Sequence, residues 1–341
     1  MEPNAESTVI TDTSELCRIL ALPPCSVPSE YPLLVPHHFV DLMERGNPND
    51  PLLLQILPRA EELQNVQGFS PDPLGEIALA KDRPAGEGVA LKKYAGRTLL
   101  LVSQECGIHC RFCFRRHFPR HFPKMDGNVT DGNVDVDSLL APLRHDTAAE
   151  EVILSGGDPL TLNDETLDRL LQALLQLKHV RRIRIHSRLP IVLPSRLTPA
   201  LAEILTLPIP LYLVLHINHP HELSEDFLER RELLTKPLLM AQTVLLRKVN
   251  DNIETLDRLF RRLIDARILP YYLHQLDRVA GAAHFEVPSE SGRRILAELR
   301  GRLPGYAVPA YVREVNGRNC KEPITGIPIS SIKTQRQTAD R

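Results

Sequence analysis

Cys106, Cys110 and Cys113 are three of the six cysteines in the chain, and they stand in C-x3-C-x2-C spacing within ECGIHCRFCFRRHF, residues 105–118. Thiols grouped this closely in a reduced compartment point to metal or catalysis rather than to disulfides. Two metal chemistries fit three thiolates. With His109 or His117 as fourth ligand they would close a zinc tetrahedron. Alone they would hold three irons of a [4Fe–4S] cluster and leave one iron without a protein ligand. Two features favour the cluster: all three thiols fall in one loop rather than in paired C-x2-C knuckles, and an aromatic residue, Phe112, precedes the last cysteine.

Such a loop needs a scaffold, and the flanking sequence supplies a repeating one. Apolar runs that read as buried strands are RTLLLVS (97–103), EVILSG (151–156), RRIRIHS (181–187), LYLVLHI (211–217), QTVLLR (242–247) and PYYLHQL (270–276). Helical patterns lie between most of them. In NDETLDRLLQALLQL (163–177), Leu167, Leu170, Leu171, Leu174 and Leu175 share one face, with Asn163 or Asp164 placed to cap it. SEDFLERRELLTK (224–236) and IETLDRLFRRLIDA (253–266) read likewise. About six β-α units in series predict an α/β fold, a partial (β/α)6 TIM-like barrel whose sites lie at the C-terminal strand ends. The cysteine loop follows the first strand and SGGDP (155–159) ends the second, so both fall at that end. The glycines of SGGDP permit close backbone approach to a ligand; a plain βα turn with Asp158 as helix cap is the alternative. The expected organisation is a mostly helical or irregular segment over 1–95, containing a short helix stopped by Gly46 and Pro48. The barrel follows over 96–300, and a polar C-terminal segment over 301–341.

The bulk composition excludes several function classes. The net charge of −2 in 341 residues implies neither a polyanionic partner nor a membrane surface. A basic and aromatic stretch, CFRRHFPRHFPK at 113–124, is suited to single-stranded nucleic acid, but its position after the cysteines favours an anionic cofactor. The N-terminal residues lack the basic and apolar regions of a signal peptide, and no apolar run is long enough to span a bilayer, so a cytoplasmic protein is expected. Cys17 and Cys25 read as ordinary thiols.

C-x3-C-x-aromatic-C after a first strand resembles the radical S-adenosylmethionine superfamily. In that superfamily the open iron chelates S-adenosyl-L-methionine, and an electron from the cluster releases a 5′-deoxyadenosyl radical. By the same resemblance Ser155, Gly156, Gly157 and Asp158 belong to the segment that contacts the amino group of S-adenosyl-L-methionine. CFRRHF, LSGGDPL, IRIHSRLPIVLPSRLTPAL, HINHPHEL, QTVLLRKVNDN, PYYLHQLDRVAGAAHF and GYAVPAYVRE follow the order found in the lysine 2,3-aminomutase family, and the likeness covers roughly residues 30–325. Within it the chain resembles the branch that supplies (R)-β-lysine for elongation factor P. Only Cys320 lies beyond Cys113, so the cysteine-rich zinc site of the free-lysine enzymes cannot form.

The resemblance implies pyridoxal 5′-phosphate held on a lysine. Lys321, in NGRNCKEPIT, matches that position, with Glu322 where threonine is usual; Lys333 has the threonine but lies too far along. Tyr94 and Arg97 match residues near the pyridoxal phosphate, Arg97 pairing its phosphate. Arg115 matches the arginine that grips the substrate carboxylate. Asp277 and Glu314 match two carboxylates that hold the ε-ammonium of L-lysine. His216, Asn218 and Gln242 line the cofactor site or serve as packed polar core. The implied partners are an electron-donor protein such as a flavodoxin and, through a separate ligase, the elongation factor P pathway; a homo-oligomer is compatible. Two other readings stand beside this one: an aminomutase making free β-lysine or acting on another amino acid, and a non-catalytic zinc or iron–sulfur module.

Overall fold

A computed structural model describes residues 9–25, 27–77, 89–118, 135–318 and 320–326. Arg120, Phe122 and Lys124 of the basic stretch, and Lys333, lie outside the described residues. The short strands β1 (Val9–Ile10) and β2 (Val35–Pro36) form a small antiparallel ribbon. The remaining strands make one nine-stranded sheet: β3 (Val89–Tyr94), β4 (Arg97–Ser103), β5 (Glu151–Gly156), β6 (Arg182–Ser187), β7 (Leu211–His216), β8 (Leu238–Leu245), β9 (Leu269–Gln275), β10 (Ala310–Arg313) and β11 (Glu322–Pro323). Their spatial order is their chain order, β4 to β10 run parallel, and the two outer strands are antiparallel.

This order dictates the shape. Crossovers between parallel strands are right-handed, so an order that never reverses puts every connecting helix on the same face, and the sheet curls away from them. Helix Asp164–Leu175 starts where its cap requires, with Asn163 accepting from Thr166 N at 2.8 Å. It buries Leu167, Leu170, Leu171 and Leu174 against Val152, Leu154, Ile183 and Ile185. Helix Ile253–Asp265 is capped in the same way by Asn252 and buries Leu256, Leu259, Phe260 and Leu263. Alternation along the strands then places Ser155, Arg184, His186 and His216 on the opposite, concave face. Two contacts measure the curl. Arg184 on β6 donates to the Tyr271 hydroxyl on β9 at 3.4 Å although β7 and β8 stand between them. Tyr94, on β3, donates to Glu314, just past β10 at the far side of the sheet.

The expected six strands are present, and the sheet extends past them on both sides. β3 joins from the N-terminal segment and β10 from the C-terminal one, so neither segment is a separate appendage. A four-residue strand amid polar residues carries little periodicity, which is why the polar tail conceals β10.

The N-terminal segment is fastened to the cysteine loop by buried charge. Arg111 donates to both carboxylate oxygens of Glu62, to Tyr31 O at 2.7 Å and to Ser29 Oγ at 2.7 Å; Arg116 shares Glu62 at 2.6 Å. Burial tends to raise the Glu62 carboxyl, but the two guanidinium groups outweigh it and hold it below the ordinary carboxylate value. A carboxyl depressed in the folded state contributes stability that is present above its unfolded value and lost as pH falls through the folded one. Glu62→Gln is therefore expected to cost about 3 kcal/mol at neutral pH and to flatten the acid limb of the stability curve below the unperturbed value of 4.5, as read by denaturant titration at several pH values.

Candidate active site

The cysteine loop leaves the C-terminal end of β4, with Cys106, Cys110 and Cys113 each partly exposed. Cys113 N bonds to Cys110 O at 3.0 Å, a turn that keeps the last two thiols adjacent. Burial pushes the Cys110 thiol upward, opposed by Arg188, whose Nη1 donates to its sulfur at 2.7 Å. Phe112 is buried, edge-on to His216 at 5.6 Å and to Phe285 at 6.0 Å, so the aromatic before the last cysteine wedges the loop onto the barrel. Both histidines of the zinc alternative have a ring nitrogen committed elsewhere: His109 Nδ1 to Pro32 O at 2.9 Å, and His117 Nε2 to Ala280 O at 3.0 Å. No three His, Cys, Asp or Glu side chains among the described residues converge on a point where one ion would sit. A three-thiol loop of this kind suits a cluster, in which each thiolate takes a different iron.

The end of β5 packs directly on this loop. Gly157 N bonds to Ser103 O at 2.7 Å and Asp158 N to Glu105 O at 2.6 Å. Gly156 has φ +130°, and a Cβ there would lie 2.2 Å from Ser103 O; one on Gly157 would lie 2.0 Å from Glu105 O. Both glycines are thus required for strand end to meet loop. Asp158 does what the plain-turn alternative describes. Its carboxylate accepts from Leu160 N at 3.0 Å, Ser187 Oγ at 2.7 Å, Arg188 N at 2.7 Å and Leu189 N at 2.9 Å. Burial raises its pKa while these bonds oppose the rise.

Arg115 aims its Nε and Nη2 fork at Glu76, at 2.6 and 3.2 Å, and its Nη1 at Ser155 Oγ and Gly156 O, at 3.1 and 3.2 Å. Bidentate carboxylate recognition is therefore present at this arginine, and here the carboxylate is the chain's own. Burial tends to lower the Arg115 pKa, but Glu76 overrides it and the net shift is upward. His216 Nε2 lies 3.2 Å from Asn218 Oδ1, and Asn218 bonds onward to Gln55 Oε1 at 2.9 Å and to Val244 N at 2.9 Å. Gln242 is half-buried beside His216 in the β7–β8 register, and Asp277 is half-buried just past β9.

At the closing edge of the sheet, Lys321 Nζ pairs with Oε2 of Glu314, whose Oε1 accepts the Tyr94 hydroxyl. Burial and then the Glu314 bond push the Tyr94 hydroxyl far above its ordinary value, so it stays a donor. The Arg97 guanidinium covers the Tyr94 ring at 4.9 Å. Arg97 begins β4 and Ser103 ends it, a span of roughly 20 Å at the usual strand rise, so this cluster and the cysteine loop lie at different depths of one concave face. Burial holds the His186 pKa well below normal, and the charges of Arg184, Lys321 and Arg115 add to the effect. Burial also depresses His274 well below normal, with Lys321 adding to the effect, and lowers His216 to about 3. Sequence reasoning passed over His186, His274, Glu76 and Arg188. The signal for the first, second and fourth was a polar residue at the end of an otherwise apolar strand.

Comparison with known proteins agrees with this geometry. Residues 85–187 match the family description "4Fe-4S single cluster domain", a span that includes all three loop cysteines. The L-lysine 2,3-aminomutase of Escherichia coli K12 is 43% identical over 326 residues, covering 93% of this chain and 92% of that one. That of Haemophilus influenzae is 39% identical over 290 residues, covering 84% and 82%. That of Clostridium subterminale is 35% identical over 292 residues, covering 84% of this chain and 67% of its own. A solved radical SAM methyltransferase from Sphaerobacter thermophilus shares 21% identity and a TM-score of 0.48, over 68% of this chain and 71% of that one. A curled parallel sheet with an iron–sulfur domain and three thiols at the mouth defines a radical S-adenosylmethionine enzyme. More narrowly, the chain belongs to the L-lysine 2,3-aminomutase family, whose members are isomerases.

Gly157→Ala tests the packing of strand end on loop. With no flexible group to yield at Glu105 O, it is expected to cost about 1–3 kcal/mol and to lower the iron retained per chain, as measured by denaturation and iron analysis.

Proposed function

We propose that this chain is a radical S-adenosylmethionine, pyridoxal phosphate-dependent 2,3-aminomutase that converts L-lysine to (R)-β-lysine, which a separate ligase attaches to elongation factor P. The observation that carries the reading is that a three-cysteine loop follows the first parallel strand of a curled sheet at whose closing edge Lys321 pairs with Glu314, itself bonded to Tyr94 from the opposite edge. When bound, the cluster supplies the electron that cleaves the sulfonium of S-adenosyl-L-methionine, and pyridoxal phosphate supplies a carbonyl for the lysine amine and a π-system across which nitrogen can migrate.

The protein's part is to hold, orient and exclude. Cys106, Cys110 and Cys113 hold the cluster. Ser155, Gly156 and Gly157 border the space over its open iron, and Asp158 fixes the turn beneath them. Lys321 attaches the pyridoxal group, Arg97 meets its phosphate, and Tyr94 keeps a hydroxyl proton directed at Glu314. Arg115 takes the substrate carboxylate in exchange for Glu76, and Asp277 with Glu314 takes the ε-ammonium. Glu314 already accepts a primary ammonium from Lys321, which supports its role toward a lysine side chain. His186, His216 and His274, held neutral by burial, complete a low-polarity lining that adds no cation beside Arg115 and Lys321. A dry, fixed chamber of this kind keeps a radical from quenching. The electron comes from a small donor protein such as a flavodoxin.

The test is anaerobic reconstitution with iron, sulfide and pyridoxal phosphate, followed by labelled L-lysine, S-adenosyl-L-methionine and a strong reductant. β-Lysine of R configuration is expected, and its transfer to elongation factor P on adding that protein and the ligase. Lys321→Ala is expected to lose both product and pyridoxal absorbance while the cluster spectrum persists. Absence of β-lysine from the wild-type reaction contradicts the assignment.

A further inference from the structure

The mechanism makes no use of Arg188, yet its guanidinium is among the most constrained charges in the molecule. It follows β6 directly, its side chain is 6% exposed, and Nη1 donates to Cys110 Sγ at 2.7 Å. Nη2 donates to Gln55 Oε1 at 2.7 Å and to Glu222 Oε2 at 3.2 Å. Phe39 and Phe112 flank the group, with ring centroids 5.6 and 5.7 Å from Cζ.

The partners of Arg188 are themselves immobile. Glu222 is fully buried, and its Oε1 accepts from Asn218 N at 3.1 Å, His219 N at 3.1 Å and Gln55 Nε2 at 3.0 Å. The Arg188 backbone is gripped by Asp158 at 2.7 Å, so the SGGDP turn fixes the point from which the side chain reaches the loop. A buried arginine needs one carboxylate for neutrality, and Glu222 provides it. Nothing in that balance requires a second contact to a thiol, yet an N–H is aimed at the sulfur.

We propose that Arg188 is a positioning residue that sets the reduction potential of the cluster through its N–H···S bond to Cys110. This rests on the reading that the three loop cysteines hold that cluster. Reduction takes one electron from an external donor and adds one negative charge to the cluster and its thiolates. A fixed cationic donor at a ligating sulfur stabilises that added charge more than the oxidised state, and so raises the potential. Asp158 and Gln55 serve the same end by holding the guanidinium in place. Through Gln55 and Phe39 the N-terminal segment therefore belongs to the redox centre as well as to the fold.

Two variants test this in the full-length reconstituted protein. Arg188→Lys keeps a cation for Glu222 but lacks the second arm that reaches sulfur. The double variant Arg188→Met with Glu222→Gln removes both buried charges together, so neither is left unpaired. Iron and sulfide are quantified first, then the cluster midpoint is measured by reductive titration followed by electron paramagnetic resonance. Both variants are expected to carry the wild-type complement of iron and sulfide, keep the pyridoxal absorbance and show a midpoint shifted to more negative potential. An unchanged midpoint in both, at full iron content, overturns the proposal while leaving the cluster assignment intact. Wild-type protein that takes up no iron or sulfide overturns the assignment beneath it, and the proposal with it, before any titration is run.

Discussion

The curl of the parallel sheet is the constraint on which the rest of the molecule depends. Seven parallel strands in unbroken chain order leave one face for every crossover helix and bend the other into a concave surface. Leucines and isoleucines on the helical side satisfy the hydrophobic requirement, which frees the concave side for charge. The bend also brings together residues that the sheet's width would keep apart. Tyr94 and Glu314 sit at opposite sides of the sheet and still share a hydrogen bond. A flat sheet of the same sequence would leave Lys321 far from every strand but its neighbours.

Around the cysteine loop, arginines are matched by glutamates brought from distant parts of the chain. Arg111 and Arg116 take Glu62, Arg115 takes Glu76, and Arg188 takes Glu222. Arg111 and Arg188 are buried and Arg115 and Arg116 largely so, and each cation would be costly alone. Four guanidinium groups face three carboxylates, so the region keeps one net positive charge toward which thiolate charge can be introduced. The N-terminal segment contributes two of the three carboxylates, so it is part of the site's electrostatics as well as its cover. At Arg188 the pair is locked by further bonds on both partners.

The features legible in the sequence were those encoded locally. The six β-strand runs, the cap at Asn163 and the leucine face of helix Asp164–Leu175 follow from period and capping chemistry. Cysteine spacing after a strand marked the loop. The strand Ala310–Arg313 escaped because four residues next to polar turns show no period. Glu76, Arg188 and Glu222 escaped for a different reason: their importance lies in pairings across the chain, which spacing does not record. Asp158 shows the converse, since its motif was visible while its partners, Ser187 at the end of the next strand and Arg188 just past it, were not.

In the proposed function, fold and chemistry would meet in one chamber, where a hydrogen atom would pass between a cosubstrate at the cysteine loop and an amino acid whose amine has displaced Lys321 from the pyridoxal group. The most direct measurement supplies L-lysine deuterated at C3 to the reconstituted enzyme under reducing conditions and follows the label by mass spectrometry. Deuterium should appear at the 5′ carbon of the adenosyl group recovered from S-adenosyl-L-methionine. β-Lysine formed with no deuterium at that carbon would mean the two ends of the chamber do not communicate in this way.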